Sequence, residues 1–329
     1  MKAIVTGGAG FIGSHLVELL IKKKFSVVVI DNFATGRLNN LKKISNKIKI
    51  VKGSITNYSK IEKNFRNCKY VFHLAGLADI VPSIENPEKY FDTNVKGTLN
   101  VLMASKKYGI KKVIYAASAS CYGIVKKFPT DENNKISTEY PYALTKYLGE
   151  ELICHWAKAY NLSTISLRLF NVYGVRSRTT GAYGAMFGVF LAQLINNKPL
   201  TIVGDGKQTR DFTYVTDVAN AFYMAAKSKI FHDIFNVGTG KPTSVNQVAD
   251  KLGGKQIFIP KRPGEPDKSQ ANIQKISRKL KWKPKIPIDE GIKIMINNIV
   301  DWKKAPVWTP KAIKKKTKVW FSFLSEKNS

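Results

Sequence analysis

A tyrosine and a lysine stand four residues apart in Tyr142-Ala-Leu-Thr-Lys146. At that spacing they share one face of a helix. A phenol titrates near 10 in water, too high to act as a base at neutral pH, and a neighbouring ammonium favours the phenolate. The two side chains therefore form a candidate proton-transfer pair. A hydroxyl that could join them, Ser118, follows the apolar run Lys112 to Ala116, where loops of open α/β sheets meet ligands. A second group opens the chain, Thr6-Gly-Gly-Ala-Gly-Phe-Ile-Gly13. Gly7, Gly10 and Gly13 sit between a strand-like run and a helical one. Glycine suits a backbone that must turn sharply and approach a pyrophosphate, whose charge then faces a helix N-terminus. The spacing is GxxGxxG rather than the simpler GxGxxG. Asp31 ends the second strand-like run. A carboxylate there accepts both hydroxyls of an adenosine ribose and repels a 2′-phosphate. Asn32 and Phe33 follow with no adjacent Arg, so the cradle is expected to take NAD rather than NADP.

These residues need a frame. Lys2 to Val5, Phe25 to Ile30, Ile48 to Lys52, Tyr70 to Leu74, Lys112 to Ala116 and Ser163 to Leu169 read as short strands. Helical patterns separate them, as in Gly13 to Lys24, Asn94 to Tyr108 and Tyr142 to Tyr160. Such alternation predicts an α/β fold, a Rossmann-type doubly wound parallel sheet with right-handed crossovers. After residue 170 the pattern loosens, with Gly204-Asp-Gly206 and Pro260-Lys-Arg-Pro-Gly264 as turn signals. A smaller α/β C-terminal substrate domain is expected there. The predicted division is 1–170 for the cofactor, with 212–237 returning to it, and 171–211 with 238–310 for the substrate. Phe212 to Ala226 reads as a helix. Residues 311–329 form a Lys-rich C-terminal helix or tail; with Trp308, Trp320, Phe321 and Phe323 nearby, a docked helix is expected.

Composition narrows the class. The 329 residues include 44% apolar and 23% charged, values ordinary for a globular protein. No apolar run approaches the roughly 20 residues of a membrane span, so no membrane partner is expected. The net charge is +31, but lysine is spread over every segment and no nucleic-acid recognition motif accompanies it. The expected reading is a solvated basic surface that attracts an anionic nucleotide substrate at low salt, not a nucleic-acid partner. Cys68, Cys121 and Cys154 lack metal-ligand spacing, and His15, His73, His155 and His232 do not cluster, so no metal site is expected. Met1-Lys2 leads straight into Ala3-Ile4-Val5 without a signal-peptide pattern, and the expectation is cytoplasmic.

Several further motifs join the first two: His73-Leu-Ala-Gly76, Asn94-Val-Lys-Gly-Thr98, Ser118-Ala-Ser-Cys-Tyr-Gly123, Arg168-Leu-Phe-Asn-Val-Tyr-Gly174, Gln208-Thr-Arg-Asp-Phe212 and Arg262-Pro-Gly-Glu265. Together they resemble the extended short-chain dehydrogenase/reductases and, within them, the nucleotide-sugar 4-epimerases. The likeness runs over nearly the whole chain. It implies NAD-dependent C4 epimerisation of a nucleotide-diphosphate sugar, expected to be UDP-linked, through a transient 4-keto intermediate. It implies catalytic roles for Ser118, Tyr142 and Lys146. Gly7, Gly10, Phe11, Ile12, Gly13, Asp31, Asn32, Ser54, Ile55, Leu74, Ala75, Asn94 and Phe170 would meet the cofactor along with Tyr142 and Lys146. Ser118, Asn171, Arg210, Arg262, Glu265 and Ser269 would meet the substrate, the arginines gripping its diphosphate through their fork of donors. A homodimer is implied, through the helix bearing Tyr142 and the one after Asn94; Leu148, Leu152 and Trp156 suit either core or interface.

Departures from the family set the alternatives. Ser54 stands where the family usually carries an Asp that holds the adenine amino group. Ala116 and Ala117 stand where Ser is frequent. A 4,6-dehydratase needs an acid pair after Ser118, and Ala119-Ser120-Cys121 supplies none. Ser269 falls where the resemblance places the neighbour of the sugar C2 substituent; a small residue there would admit UDP-GlcNAc/UDP-GalNAc as well as UDP-Glc/UDP-Gal. Arg176 and Arg178 could instead meet the carboxylate of a uronate. A 4-keto reductase shares the remaining chemistry, and a non-catalytic NAD-sensing protein would have lost the Tyr and Lys that are intact here.

Overall fold

Short β-branched runs bounded by turns build the centre of the molecule. The computed structural model describes residues 1–178, 186–261 and 265–325. Its strands are β1 (Lys2–Thr6), β2 (Ser26–Asp31), β3 (Ile48–Lys52), β4 (Tyr70–His73), β5 (Lys112–Ser118), β6 (Thr164–Leu169), β7 (Asn171–Tyr173), β8 (Leu200–Val203), β9 (Thr209–Arg210), β10 (Phe212–Tyr214), β11 (His232–Val237), β12 (Thr243–Ser244) and β13 (Gln256–Ile259). Its α-helices are α1 (Phe11–Lys22), α2 (Tyr58–Ile61), α3 (Ile80–Glu85), α4 (Pro87–Tyr90), α5 (Gly97–Lys107), α6 (Pro141–Tyr160), α7 (Met186–Ile195), α8 (Val215–Lys227), α9 (Val245–Leu252), α10 (Gln274–Leu280), α11 (Ile288–Asn297) and α12 (Pro310–Ser325).

Seven strands form one sheet in the order β3-β2-β1-β4-β5-β6-β11, and every pairing is parallel. Parallel strands are buried on both faces, which is why they read as near-continuous apolar runs rather than alternating ones. One face is covered by α1 and α8, with Leu16, Leu20, Phe222 and Trp282 in the core. The other is covered by α5 and α6, with Val101, Leu102, Ile153 and Tyr115. Strand order reverses between β1 and β4, and ligands of such sheets bind at that switch point, outside the carboxyl ends of the strands. The glycine loop leaves β1 there, and Leu74-Ala75 leave β4.

The rest is built differently. Three pairs of short strands, β7 with β10, β8 with β13 and β9 with β12, surround a separate core that includes Phe187, Phe190, Ile202, Phe212 and Trp302. Asp211 ties these pieces together. Its carboxylate accepts from Thr239 N and Oγ1 (both 2.6 Å), Gly240 N (2.9 Å) and Ala271 N (2.9 Å).

Several expected boundaries shift. Phe212 to Ala226 is not one helix: Phe212, Thr213 and Tyr214 pair with β7 as a strand, and the helix begins at Val215. The expected helix from Asn94 opens with a π turn over Phe91–Lys96 before α5, a wider coil often found at functional sites. Strand β5 runs on through Ser118, so that serine ends a strand rather than following it. Among the described residues no helix is long and apolar enough to cross a membrane, and no group of three or more His, Cys, Asp or Glu is placed to hold a metal.

Candidate active site

A cavity of about 820 Å³ opens at the switch point and extends into the second region. Its lining includes Gly7, Gly10, Phe11, Ile12, Gly13, Asp31, Asn32, Ser54, Ile55, Leu74, Ala75 and Phe170. It also includes Ser118, Tyr142, Lys146, Asn171, Arg210, Glu265 and Ser269. Arg262 lies outside the described residues.

At one end Gly10 is the N-cap of α1, and no side chain caps that helix. Its first-turn N–H groups therefore have no side-chain acceptor there and suit an anion. A Cβ on Gly10 would meet only the Gly7 carbonyl oxygen at 3.1 Å, so the rest of its surface is open; a Cβ on Gly13 would overlap that carbonyl. Asp31 is fixed by Ala9 N (2.9 Å) and Phe33 N (2.8 Å), one to each carboxylate oxygen. Each oxygen keeps a second lone pair for a ribose hydroxyl. Burial raises the Asp31 pKa, and the two backbone N–H groups oppose that rise. Ser54 Oγ is paired with Thr56 Oγ1 (2.8 Å) in a local turn. Arg37, which sequence reasoning passed over, also lines the cavity and donates to Arg176 O (3.2 Å) and Ser177 O (3.3 Å). A donor set of uncapped helix N–H groups, glycine and a fixed carboxylate fits NAD.

Asn94, expected to meet the cofactor, is not among the residues that line the cavity. It is 1% exposed and stands behind the wall rather than in it. Its amide bonds both backbone groups of Leu77, accepting from the N–H at 2.8 Å and donating to the carbonyl at 3.0 Å. Asn94 thus shapes the loop after β4. His73 does the same from beneath. Thr98 Oγ1 donates to Asn94 O (2.6 Å), so it accepts from His73 Nε2 (2.9 Å). His73 Nδ1 then accepts from Thr6 Oγ1 (2.7 Å), which accepts from Ala75 N (3.2 Å). Only the neutral ring satisfies this chain, and burial holds the His73 pKa down at about 3. The signal was present in His73-Leu-Ala-Gly76, but the partners lie 25 and 67 residues away.

The reactive group sits where β5 meets α6. Pro141 occupies the first turn of α6, a position where its missing N–H costs nothing, and Tyr142 follows on a helix of 20 residues. The Tyr142 hydroxyl donates to Ser118 Oγ at 3.1 Å. Ser118 Oγ also accepts from Ser120 N (3.2 Å) and pairs with Ser120 Oγ (2.8 Å). Ser120 is the second residue that sequence reasoning missed. Lys146 Nζ lies 4.3 Å over the ring of Tyr115. The expected lowering of the phenol pKa by Lys146 does not hold here. Burial dominates and raises Tyr142, and the groups that pull it down are Ser118 and Ser120. Burial also lowers Lys146 to about 7, with Glu150 opposing. A low-dielectric pocket disfavours the charged forms of both groups. Glu150 itself is buried against Arg168 (2.6 Å), which also donates to Tyr122 Oη (2.9 Å) and so braces the turn carrying Ser120.

At the far end Arg210 pairs with Glu265 (2.8 Å). Thr209 N donates to Asp267 O (2.9 Å) and Ser269 N to Thr209 O (3.1 Å), which fixes Ser269 beside them. Arg176 pairs with Glu18 (2.7 Å) and Arg178 with Asp79.

A cavity that offers a helix N-terminus to a diphosphate and a phenol to a sugar-sized alcohol defines a dinucleotide-dependent enzyme on a doubly wound sheet. The chain belongs to the NAD dependent epimerase/dehydratase family, whose profile matches residues 3–238. It is 41% identical over 302 residues to a Methanocaldococcus jannaschii protein provisionally named UDP-glucose 4-epimerase, covering 89% of this chain and 97% of that one. It is 35% identical over 329 residues to the UDP-glucuronate 4-epimerase of Thermodesulfobacterium geofontis, covering 94% and 98%. The solved UDP-glucose 4-epimerase of Thermotoga maritima, with UDP-glucose, superposes with a TM-score of 0.86 at 34% identity, covering 92% of this chain and 99% of that one.

Proposed function

We propose that this chain interconverts C4 epimers of UDP-hexoses through a 4-keto intermediate. The observation that carries the reading is the 3.1 Å Tyr142–Ser118 hydrogen bond at the end of β5, in the same cavity as the uncapped N-terminus of α1. The N-terminus of α1, Gly10 and Asp31 would hold NAD⁺, which would supply reversible hydride exchange with the sugar C4. Tyr142, as a phenolate held by hydrogen bonds from Ser118 and Ser120, takes the O4 proton to become the neutral phenol, and later returns that proton to O4. Ser118 orients O4 between itself and the phenol. Lys146, one helical turn on, orients the cofactor ribose. Arg210 and Arg262 hold the diphosphate, Glu265 the nucleotide ribose and Asn171 the sugar side. In this reading residues 1–170 and 212–237 serve the cofactor, while 171–211 and 238–310 serve the nucleotide sugar. The chain works as a homodimer in the cytoplasm.

Neutral sugars are favoured over uronates. Arg176 and Arg178, two cations that could meet a uronate, pair with Glu18 and Asp79 through one nitrogen each, and Glu139 adds a carboxylate to the lining. The absence of a carboxylate at Ala119 and Ser120 argues against dehydration. Ser269 lines the cavity, and in this reading its small side chain admits an N-acetyl group. The test is a panel of UDP-hexoses, UDP-N-acetylhexosamines and UDP-uronates with pure protein and no added reductant, followed by NMR of the sugar protons. Interconversion of 4-epimers of the plain and acetylated sugars is expected; no epimer from any of them overturns the reading. Ser269→Tyr is expected to abolish turnover of the acetylated pair and spare the plain hexoses, and equal loss of both would remove Ser269 from substrate selection.

A further inference from the structure

Residues 302–325 run from the second region back to the first across the cavity. At one end Trp302 is fully buried beside Ala305 in the core around Phe187 and Phe190, Trp308 packs partly buried against that core, and Gln193 Nε2 donates to Trp308 O at 2.8 Å. At the other end α12 lies on α3. There Trp320, 7% exposed, packs with Val81, Ile80, Ile84 and Phe323, and Lys316 reaches Glu85 (3.4 Å). Lys311, Lys314, Lys315 and Lys318 face solvent, so apolar packing rather than charge holds the helix down. Helix α3 in turn packs on α6, whose first turn presents Tyr142, and it begins just past the loop that Asn94 anchors at Leu77. Ala305, Pro306, Trp308, Trp320 and Val81 all line the cavity. Asp31 and Ser54 follow β2 and β3, on the opposite side of the switch point. Helix α12 lies beyond residue 238, where the family profile ends, and the Thermotoga maritima enzyme, matched over 99% of its own length, covers 92% of this chain.

We infer that the C-terminal segment is a strap that walls the sugar end of the active site, and that Trp320 is a specificity-determining residue for the sugar. This rests on the functional reading above. The wall joins two regions that otherwise meet along the cavity, and it sets a rigid aromatic face beside the helix pair carrying the phenol. A rigid apolar wall limits the room for substituents and excludes water from the reacting carbon.

The test uses the full-length holoenzyme with Trp320→Ala and the conservative Trp320→Phe. For Trp320→Ala, KM for UDP-glucose is expected to rise about fivefold, with the effect on KM exceeding that on kcat. Discrimination between UDP-glucose and the bulkier UDP-N-acetylglucosamine should narrow. The affinity for UDP, which has no sugar, should hold, and Trp320→Phe should restore the parent KM. Amide exchange over residues 77–85 should quicken in the Ala variant. Unchanged KM and exchange, or an equal loss of affinity for UDP and UDP-glucose, overturns the strap. A parent inactive on every UDP-hexose would sink the functional reading instead, and the exchange measurement would still decide on the strap.

Discussion

The two ends of the cavity are made by opposite means. The cofactor end is made by a sheet: seven parallel strands fix the loops after β1 and β4, and short hydrogen bonds among Thr6, His73, Thr98 and Asn94 set their backbone. The substrate end has no large sheet. It is assembled from three two-stranded pairs around Asp211, with an Arg210–Glu265 ion pair at the surface of the cavity and a C-terminal helix closing one side. One end is positioned by neutral, buried, local-in-space hydrogen bonds. The other is positioned by charged groups, the Asp211 carboxylate and the Arg210–Glu265 pair. In the proposed reading the proton-transfer pair stands on the large sheet, and the choice of sugar would fall to the second region.

The largest break in this comparison comes at the junction of the two ends. Tyr142→Phe should lower kcat about a thousandfold while leaving UDP affinity intact, because it removes the proton carrier and no diphosphate contact. Steady-state kinetics with calorimetric UDP binding checks this; a Phe enzyme as fast as the parent would break the proposal.

Acid should attack the sheet end first. Burial holds His73 at about 3 and His15 at about 4, both below the usual histidine value of 6.5. The unfolded chain therefore binds protons that the folded chain refuses. Stability from these groups is present above 6.5 and is lost as pH falls through 4 toward 3. For His73 the loss is on the order of 4 kcal/mol. Thermal melts from pH 7 to pH 3 should show Tm falling through this window, with a shallower fall in a His73→Gln variant. A parent Tm that is flat over the same range would contradict the neutral-ring assignment.

At the substrate end Arg210→Met should raise KM for UDP-glucose about thirtyfold, the scale of a charge-assisted hydrogen bond, with retained NAD content unchanged. Loss of NAD in this variant would show that the two ends are not separable. The smallest effect belongs to Ser120→Ala, about fivefold in kcat, the scale of one neutral hydrogen bond. Ser120 lowers the Tyr142 pKa, so its removal raises that pKa and moves the rising limb of the pH–rate profile to higher pH. Ser120→Thr should move the limb back; an unshifted profile in the Ala variant would leave Ser118 as the only hydroxyl that matters.

Much of the sheet end was legible. The strands after Met1 read as apolar runs because both faces of the sheet are buried, and Gly7, Gly10, Gly13 and Asp31 announce a cradle because few residue types fit a tight turn beside a diphosphate. The i, i+4 pair of Tyr142 and Lys146 is a local fact of helix geometry. Ser118 reads from its place at a strand end. What the chain alone determined is therefore what depends on neighbours in sequence: period, turn chemistry and spacing along one helix. Tertiary structure decided the rest. It set Asn94 behind the cavity wall against Leu77, brought Ser120 to Ser118 beside Tyr142, joined Arg210 to Glu265, and laid Trp320 against Val81. Each of these depends on which segments a three-dimensional fold brings within a few ångströms and on how much water it leaves between them, and neither quantity is written in the order of the residues.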